Sequence, residues 1–317
     1  MKRLVRVEPI AELRRICQVP SQNDLPAVLY GARLSIYVTR FLLRLGLGPS
    51  VATGAMLALG VIGSLCTLLG GWWIAAGLGL IAFSYVLDCV DGEMARYRGV
   101  DSYFWAGVDY VHHMLVKGLS FLCLGVGLFR EHGDAWTVAA GGIGSVCWLL
   151  LLGLRDLPLT IFAKKVVLDP SRDCNPAYGS LTSTLHAHRA SRAGDPPTFP
   201  WGEGFRFRPW VVRTFFTTFE IAVPILIAAA LADRVLAPFA LFGRPAPLAG
   251  IVLYAYAVLL ALEVAERVLD FARGERIDAE LAELARRAEF PAPPRDAPAS
   301  PPARPPAGAR SSGSLRP

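Results

Sequence analysis

The chain has 317 residues, of which 53% are hydrophobic and only 18% are charged, and its mean hydropathy is +0.42. Apolar stretches long enough to cross about 30 Å of hydrocarbon exclude a disordered, collagen-like or disulfide-framework chain and argue against a soluble enzyme. The net charge of +6 does not indicate a nucleic-acid partner, because Lys and Arg of membrane proteins collect on the cytoplasmic side for topological reasons. The composition therefore predicts an integral membrane protein.

Residues 1–48 are predicted to form a cytoplasmic N-terminal segment that ends in an interfacial helix. Within 32–47, Arg33, Arg40 and Arg44 stand among apolar residues at roughly helical spacing. This pattern is typical of an amphipathic helix that lies in the membrane interface before the first span.

Six transmembrane helices are predicted after this segment, so the expected fold class is all-α. No charged residue occurs from Leu45 to Leu87, a stretch long enough for two spans, and Gly70-Gly71 marks the turn between them. The predicted spans are 49–69, 72–91, 103–129, 135–154, 210–232 and 246–269. Residues 49–270 are the predicted membrane domain.

The connections between the spans divide into a basic side and a side with few basic residues. The long polar loop 156–208 carries many Lys and Arg residues, whereas the opposite side holds only Arg130, Arg234 and Arg244. Because cytoplasmic connections are enriched in Lys and Arg, we expect both termini and the loop between spans two and three to be cytoplasmic, in a bacterial inner membrane. Residues 271–317 are predicted to be a charged helix and a disordered Pro/Ala-rich tail.

Charged side chains interrupt the apolar pattern in the second and third spans. Asp88 and Asp91 are three residues apart, and Asp109 and His113 are four apart, so each pair shares one face of its helix. Charged groups in membrane helices are costly and by default mark a functional site. In an antiparallel hairpin of the two helices, three carboxylates and one imidazole would converge at one depth.

Clustered carboxylates need a compensating cation, since they otherwise repel one another and lose hydration. Mg²⁺ or Mn²⁺ fits best, because these ions prefer oxygen ligands and bridge to substrate phosphates. The alternative is a structural cluster in which Arg96, Arg98 and Lys117 neutralise the acids. A metal site here indicates phosphoryl chemistry at the membrane surface.

The spacing of these residues resembles the signature of the CDP-alcohol phosphotransferases, D-x-x-D-G-x-x-A-R-x8-G-x3-D-x3-D. The residues that match without insertion or deletion are Asp88, Asp91, Gly92, Ala95, Arg96 and Asp109. Two positions depart from the signature, because Trp105 replaces its second Gly and His113 its last Asp. Residues 47–53 are also similar to the T-P-N-x-x-T start of the family's first span, with Gly48 and Ser50 as departures.

The resemblance covers about residues 30–270 and implies an enzyme. Such an enzyme transfers a substituted phosphoryl group, commonly phosphatidyl, from a CDP-alcohol donor such as CDP-diacylglycerol to a hydroxyl acceptor and releases CMP. Asp88, Asp91 and Asp109 would hold two Mg²⁺ or Mn²⁺ ions. Gly92 and Ala95 would let the nucleotide approach the helix backbone closely. A homodimer in contact with membrane lipid is expected from the resemblance alone.

The other site residues have alternative roles. Arg96 would bind phosphate or lock the aspartates, and Lys117 would receive an anionic substrate group or balance them. His113 is the expected general base, since imidazole titrates near neutral pH. Metal ligation by His113 and loss of activity are the alternatives. His112 points about 100° away from His113 and is expected to be a packing residue.

Three other functions compete with phosphatidyl transfer. The first is transfer from CDP-choline or CDP-ethanolamine to diacylglycerol. A cation transporter and a silent scaffold that binds lipid or nucleotide are the others. Glu220 and Glu263, which lie in apolar segments, are expected to pair with Arg213 or Arg267.

Overall fold

The computed structural model describes residues 7–18, 30–100, 102–167, 218–236, 239–241 and 244–273. These ranges form helices and one short hairpin. The helices are α1 (Ile10–Cys17), α2 (Ala32–Arg44), α3 (Pro49–Thr67), α4 (Trp72–Arg98), α5 (Tyr103–His132), α6 (Ala135–Val167), α7 (Phe219–Ala232) and α8 (Leu248–Arg273). The antiparallel strands β1 (Phe239–Leu241) and β2 (Arg244–Ala246) lie between α7 and α8, with Phe239 opposite Ala246.

Five helices in the described ranges are long and apolar enough to cross a membrane, as judged by length and composition. These are α3, α4, most of α5, residues Ala135–Arg155 of α6 and residues Leu248–Ala272 of α8. The span predicted at 210–232 is described only from Thr218, and α7 has 14 residues, about two thirds of a bilayer crossing. The all-α membrane class is confirmed, and five spans of the predicted six are found.

The prediction for α4 was too short. The helix continues about two turns beyond residue 91, so the whole stretch from Asp88 to Arg96 lies on one continuous helix. Gly99 ends it with a φ of +61°, a left-handed conformation that glycine adopts without steric cost. The charged residues after the apolar run had indicated that the helix ends at residue 91. Charged residues nevertheless continue a helix readily where it leaves the hydrocarbon of the membrane.

Small residues let the spans approach one another closely. A Cβ atom added to Gly63 of α3 would lie 2.7 Å from the backbone carbonyl oxygen of Gly77 on α4. A Cβ atom on Gly127 of α5 would likewise collide with the carbonyl of Thr67. Close backbone contact at small residues is the usual way in which helices associate in membranes. Through these contacts α4 and α5 each pack closely against α3.

The N-terminal helices pack on the motif helix. Helix α1 was not predicted, whereas α2 matches the predicted interfacial helix. The large side chains Leu34, Tyr37 and Phe41 of α2 are exposed, and its Ser35 and Thr39 are buried towards α4. The inner face also buries Ile36 and Leu43, and Arg33 and Arg44 are exposed beside the apolar outer side chains. Exposed apolar and basic side chains together suit a helix that lies in the membrane interface.

Two predicted segments extend past the described residues. Helix α6 continues to Val167, so the first part of the predicted loop 156–208 is helical. The rest of that loop and positions 274–317 of the predicted tail lie outside the described residues.

Candidate metal and phosphate site

Asp88 of α4 and Asp109 of α5 meet at the imidazole ring of His113. The Nε2 atom of His113 lies 3.7 Å from Asp88 Oδ1 and 3.5 Å from Asp109 Oδ1. Asp109 and His113 share a face because they are one helical turn apart on α5. Three of the predicted site residues therefore converge between two helices.

Asp91 lies one turn beyond Asp88 on α4 and contacts α3. The hydroxyl of Thr53 donates a hydrogen bond to Asp91 Oδ2, with an Oγ1 to Oδ2 distance of 2.9 Å. Thr53 also lies 3.3 Å from the carbonyl oxygen of Pro49, at the start of α3. The start of the first span, recognised in sequence only as a similar segment, thus orients one of the aspartates.

The donor set fits hard divalent cations. Asp88, Asp91 and Asp109 supply the carboxylate oxygens that Mg²⁺ and Mn²⁺ prefer. The Oδ1 atom of Asp109 is buried and accepts no hydrogen bond from any residue that the structure describes. Such an atom carries a desolvation cost that a bound cation would remove.

Arg96 contacts the N-terminal segment. Its Nε donates a hydrogen bond to the carbonyl oxygen of Cys17, the last residue of α1, at 2.5 Å. An arginine at this position also complements the negative end of the α1 dipole. A Cβ atom on Gly92 would lie 3.3 Å from Arg96 Nη1, so this glycine leaves room for the guanidinium group. Ala95, next to Arg96, is half-buried.

Glu93 is an important residue that the sequence reasoning missed. Its side chain is buried, with 1% of its surface exposed. Its carboxylate accepts hydrogen bonds from Gln18 at 2.7 Å, from Ser35 at 2.6 Å and from Thr39 at 2.6 Å. The sequence held one indication of such a partner, since Ser35 and Thr39 are small hydroxyl residues one helical turn apart on α2. Glu93 occupies a variable position of the signature, so the resemblance assigned it no role.

Lys117 forms an ion pair with Glu220 behind the site. The distance from its Nζ to Glu220 Oε1 is 3.1 Å, and the rings of Trp148 and Phe219 lie 5.3 and 5.5 Å from Nζ. Of the two roles expected for Lys117, the structure shows charge balance, but the partner is Glu220 rather than an aspartate.

The other acid in an apolar segment has the partner expected of it. Glu263 pairs with Arg267, with an Oε1 to Nε distance of 3.0 Å. Arg213, the other predicted cation, lies outside the described residues.

A small cavity of about 20 Å³ extends from the site between α4, α5 and α7. His112, His113, Lys117 and Glu220 are among the residues that line it. This volume holds about one water molecule. Trp105, which replaces a glycine of the signature, packs edge-on against Phe104 at a ring-centroid distance of 5.1 Å.

Two solved structures are similar to the chain at low sequence identity. No family model and no curated protein sequence matches the chain. The Mycobacterium tuberculosis phosphatidylinositol phosphate synthase PgsA1 with CDP-DAG bound is 19% identical, with a TM-score of 0.49, over 74% of this chain and 92% of that one. Its apo form is 19% identical, with a TM-score of 0.42, over 73% and 93%. At these values the similarity assigns neither a family nor an activity to this chain.

Proposed function

We propose that the protein is a membrane CDP-alcohol phosphotransferase of phospholipid biosynthesis. The proposed reaction moves a phosphatidyl group from CDP-diacylglycerol to a hydroxyl acceptor and releases CMP. The observation that carries the proposal is the meeting of Asp88, Asp109 and His113 between α4 and α5, with Asp91 one turn away. The spacing of these residues along the chain, which resembles the family signature, supports it independently.

The three aspartates would hold two Mg²⁺ or Mn²⁺ ions, which when bound neutralise charge on the donor diphosphate. Thr53 keeps the carboxylate of Asp91 in one orientation through its hydroxyl. His113 accepts the proton of the acceptor hydroxyl as its oxygen forms a bond to phosphorus and the bond to the CMP oxygen breaks. The carboxylates beside Nε2 stabilise the resulting imidazolium.

The remaining residues support donor binding. Gly92 and Ala95 keep α4 free of bulky side chains, so that the nucleotide would approach the helix beside the Arg96 guanidinium. Arg96, which holds Cys17 through Nε, would contact a donor phosphate through its Nη atoms. Lys117 has its charge balanced by Glu220, so we assign it to support of the site rather than to direct phosphate contact. The distribution of Lys and Arg supports a cytoplasmic site in a bacterial inner membrane, and the family resemblance supports a homodimer.

Release of CMP tests this function. Purified full-length protein with Mg²⁺ or Mn²⁺ and labelled CDP-diacylglycerol should release CMP when offered a panel of alcohols. Asp91→Ala should abolish release, because it removes one of the proposed metal ligands. Glu12→Ala, a change in an exposed ion pair on α1, should not. Absence of metal-dependent turnover with every CDP-alcohol tested would refute the proposal and leave transport or a scaffold role.

A change of His113 tests the proposed base separately. His113→Ala should lower the rate of CMP release by at least about a hundredfold, the usual contribution of a general base. A mild defect would refute the role of His113 without affecting the proposed reaction.

A further inference from the structure

A cluster of mixed oxygen and nitrogen ligands lies on one face of α5. Asp109, His112 and His113 each offer one ligand atom, and these atoms lie within 4.8 Å of one another. On a helix, the residues at positions i+3 and i+4 flank the residue at position i on the same side. A single helix face therefore presents all three side chains, without the help of a loop.

His112 is the unexpected member of this cluster. Its side chain is buried, with 4% of the residue surface exposed, and neither ring nitrogen has a hydrogen-bond partner within the described ranges. The ring packs against α3, where a Cβ atom on Gly60 would lie 3.0 Å from Nε2. Buried imidazole nitrogens normally have partners, so this ring has unused capacity to coordinate a ligand.

The chemistry of the ligands selects the kind of ion. Imidazole nitrogen favours Zn²⁺ and similar transition metals, whereas Mg²⁺ favours oxygen ligands. Zn²⁺ takes ligands at about 2.0 to 2.2 Å in a tetrahedron, so small side-chain movements would close this cluster around it. Asp88 Oδ1, at 3.7 Å from His113 Nε2, or a water molecule is available for a fourth position.

We propose that Asp109, His112 and His113 bind a transition-metal ion of the Zn²⁺ class, and that this ion inhibits the enzyme. Binding occupies the lone pair with which His113 accepts a proton, and it draws Asp109 away from the Mg²⁺ site. The inhibitory consequence rests on the proposed function. The binding itself does not.

Cobalt titration tests the binding. Full-length protein in detergent is stripped of metal and titrated with Co²⁺ in the presence of excess Mg²⁺. Wild type should develop the visible absorption of tetrahedral Co²⁺ and lose it on addition of Zn²⁺. His112→Phe should bind Co²⁺ at least about tenfold more weakly, since changes near metal sites typically cost 10–100-fold in affinity.

A matched control lies at the other end of the same helix. His132→Gln changes a histidine beside Glu131 and should bind Co²⁺ as wild type does. If the wild-type protein shows no saturable Co²⁺ absorption, the proposal is refuted whether or not the variants fold. Unchanged binding in folded His112→Phe or His112→Leu would do the same.

The activity assay separates this inference from the proposed function. Zn²⁺ should inhibit CMP release by wild type, and the half-inhibiting concentration should be at least about tenfold higher for His112→Phe. Co²⁺ binding that depends on His112 without CMP release would support the metal site and refute the transferase. CMP release without such binding would refute the metal site alone.

Discussion

Replacement of Glu93 should loosen the N-terminal helices from the motif helix. Glu93→Ala removes the acceptor of three hydrogen bonds, which come from Gln18, Ser35 and Thr39. An unpaired buried donor costs about 1–3 kcal/mol. Gln18 keeps a bond to the carbonyl of Ala32, and the two hydroxyls can turn to carbonyls of their own helix. After this relaxation we expect a loss of about 2–4 kcal/mol in the docking free energy of α1 and α2.

Cys17 provides a local measurement of this docking. Its side chain is 0% exposed, and burial together with the nearby carboxylate of Glu93 raises the pKa of its thiol to about 11. Only the thiolate reacts with maleimide, so at pH 8 the docked thiol should react about a hundredfold more slowly than an ordinary one. Glu93→Ala should recover most of this factor, with the labelled peptide identified by mass spectrometry.

Two further variants make the measurement specific. Glu93→Gln removes the same charge beside the thiol as Glu93→Ala but keeps the shape and one carbonyl acceptor, so its effect should be about half that of Glu93→Ala. The difference between the two variants reports docking and not charge. Glu12→Ala breaks an exposed pair with Arg15 on the same helix as Cys17, and such pairs contribute less than about 1 kcal/mol. Its labelling should match wild type. If Glu93→Ala labels Cys17 no faster than Glu12→Ala, the three hydrogen bonds do not hold the N-terminal helices.

Two other expectations concern the ion pair behind the site and the pH dependence of α1 docking. Lys117→Met should lower stability in detergent melts by about 3–5 kcal/mol, because it leaves Glu220 buried without its partner. Adding Glu220→Gln should restore most of the loss, and no restoration would contradict the pairing. The Tyr97 hydroxyl lowers the pKa of Glu8 below its ordinary value of 4.5. The hydrogen bond between the two side chains therefore stabilises the docking of α1 above that pH and weakens as the pH falls. In Tyr97→Phe the melting temperature should therefore fall less steeply at acid pH than in wild type. Tyr37→Phe, at an exposed site, should leave this pH dependence unchanged.

Helical periodicity made part of the site predictable. Asp109 and His113 are four residues apart, and a helix places such residues on one face whatever surrounds it. Their meeting with Asp88 required only that two consecutive spans lie together. The end of α4 was less predictable, because hydropathy detects where hydrocarbon stops and not where a helix stops. For that reason the predicted span ended before the turn that carries Glu93 and Arg96.

The sequence by itself determined the membrane class, most of the spans and the two acidic helix faces, since apolar length and helical period are local properties. Only the tertiary structure decided which partner each polar side chain meets. Thr53 with Asp91, Glu220 with Lys117, and the donors around Glu93 are all distant in the chain. These contacts depend on how α2, α3 and α7 pack around α4 and α5. A buried polar group requires a partner, but its identity follows from that packing and not from the residues beside it.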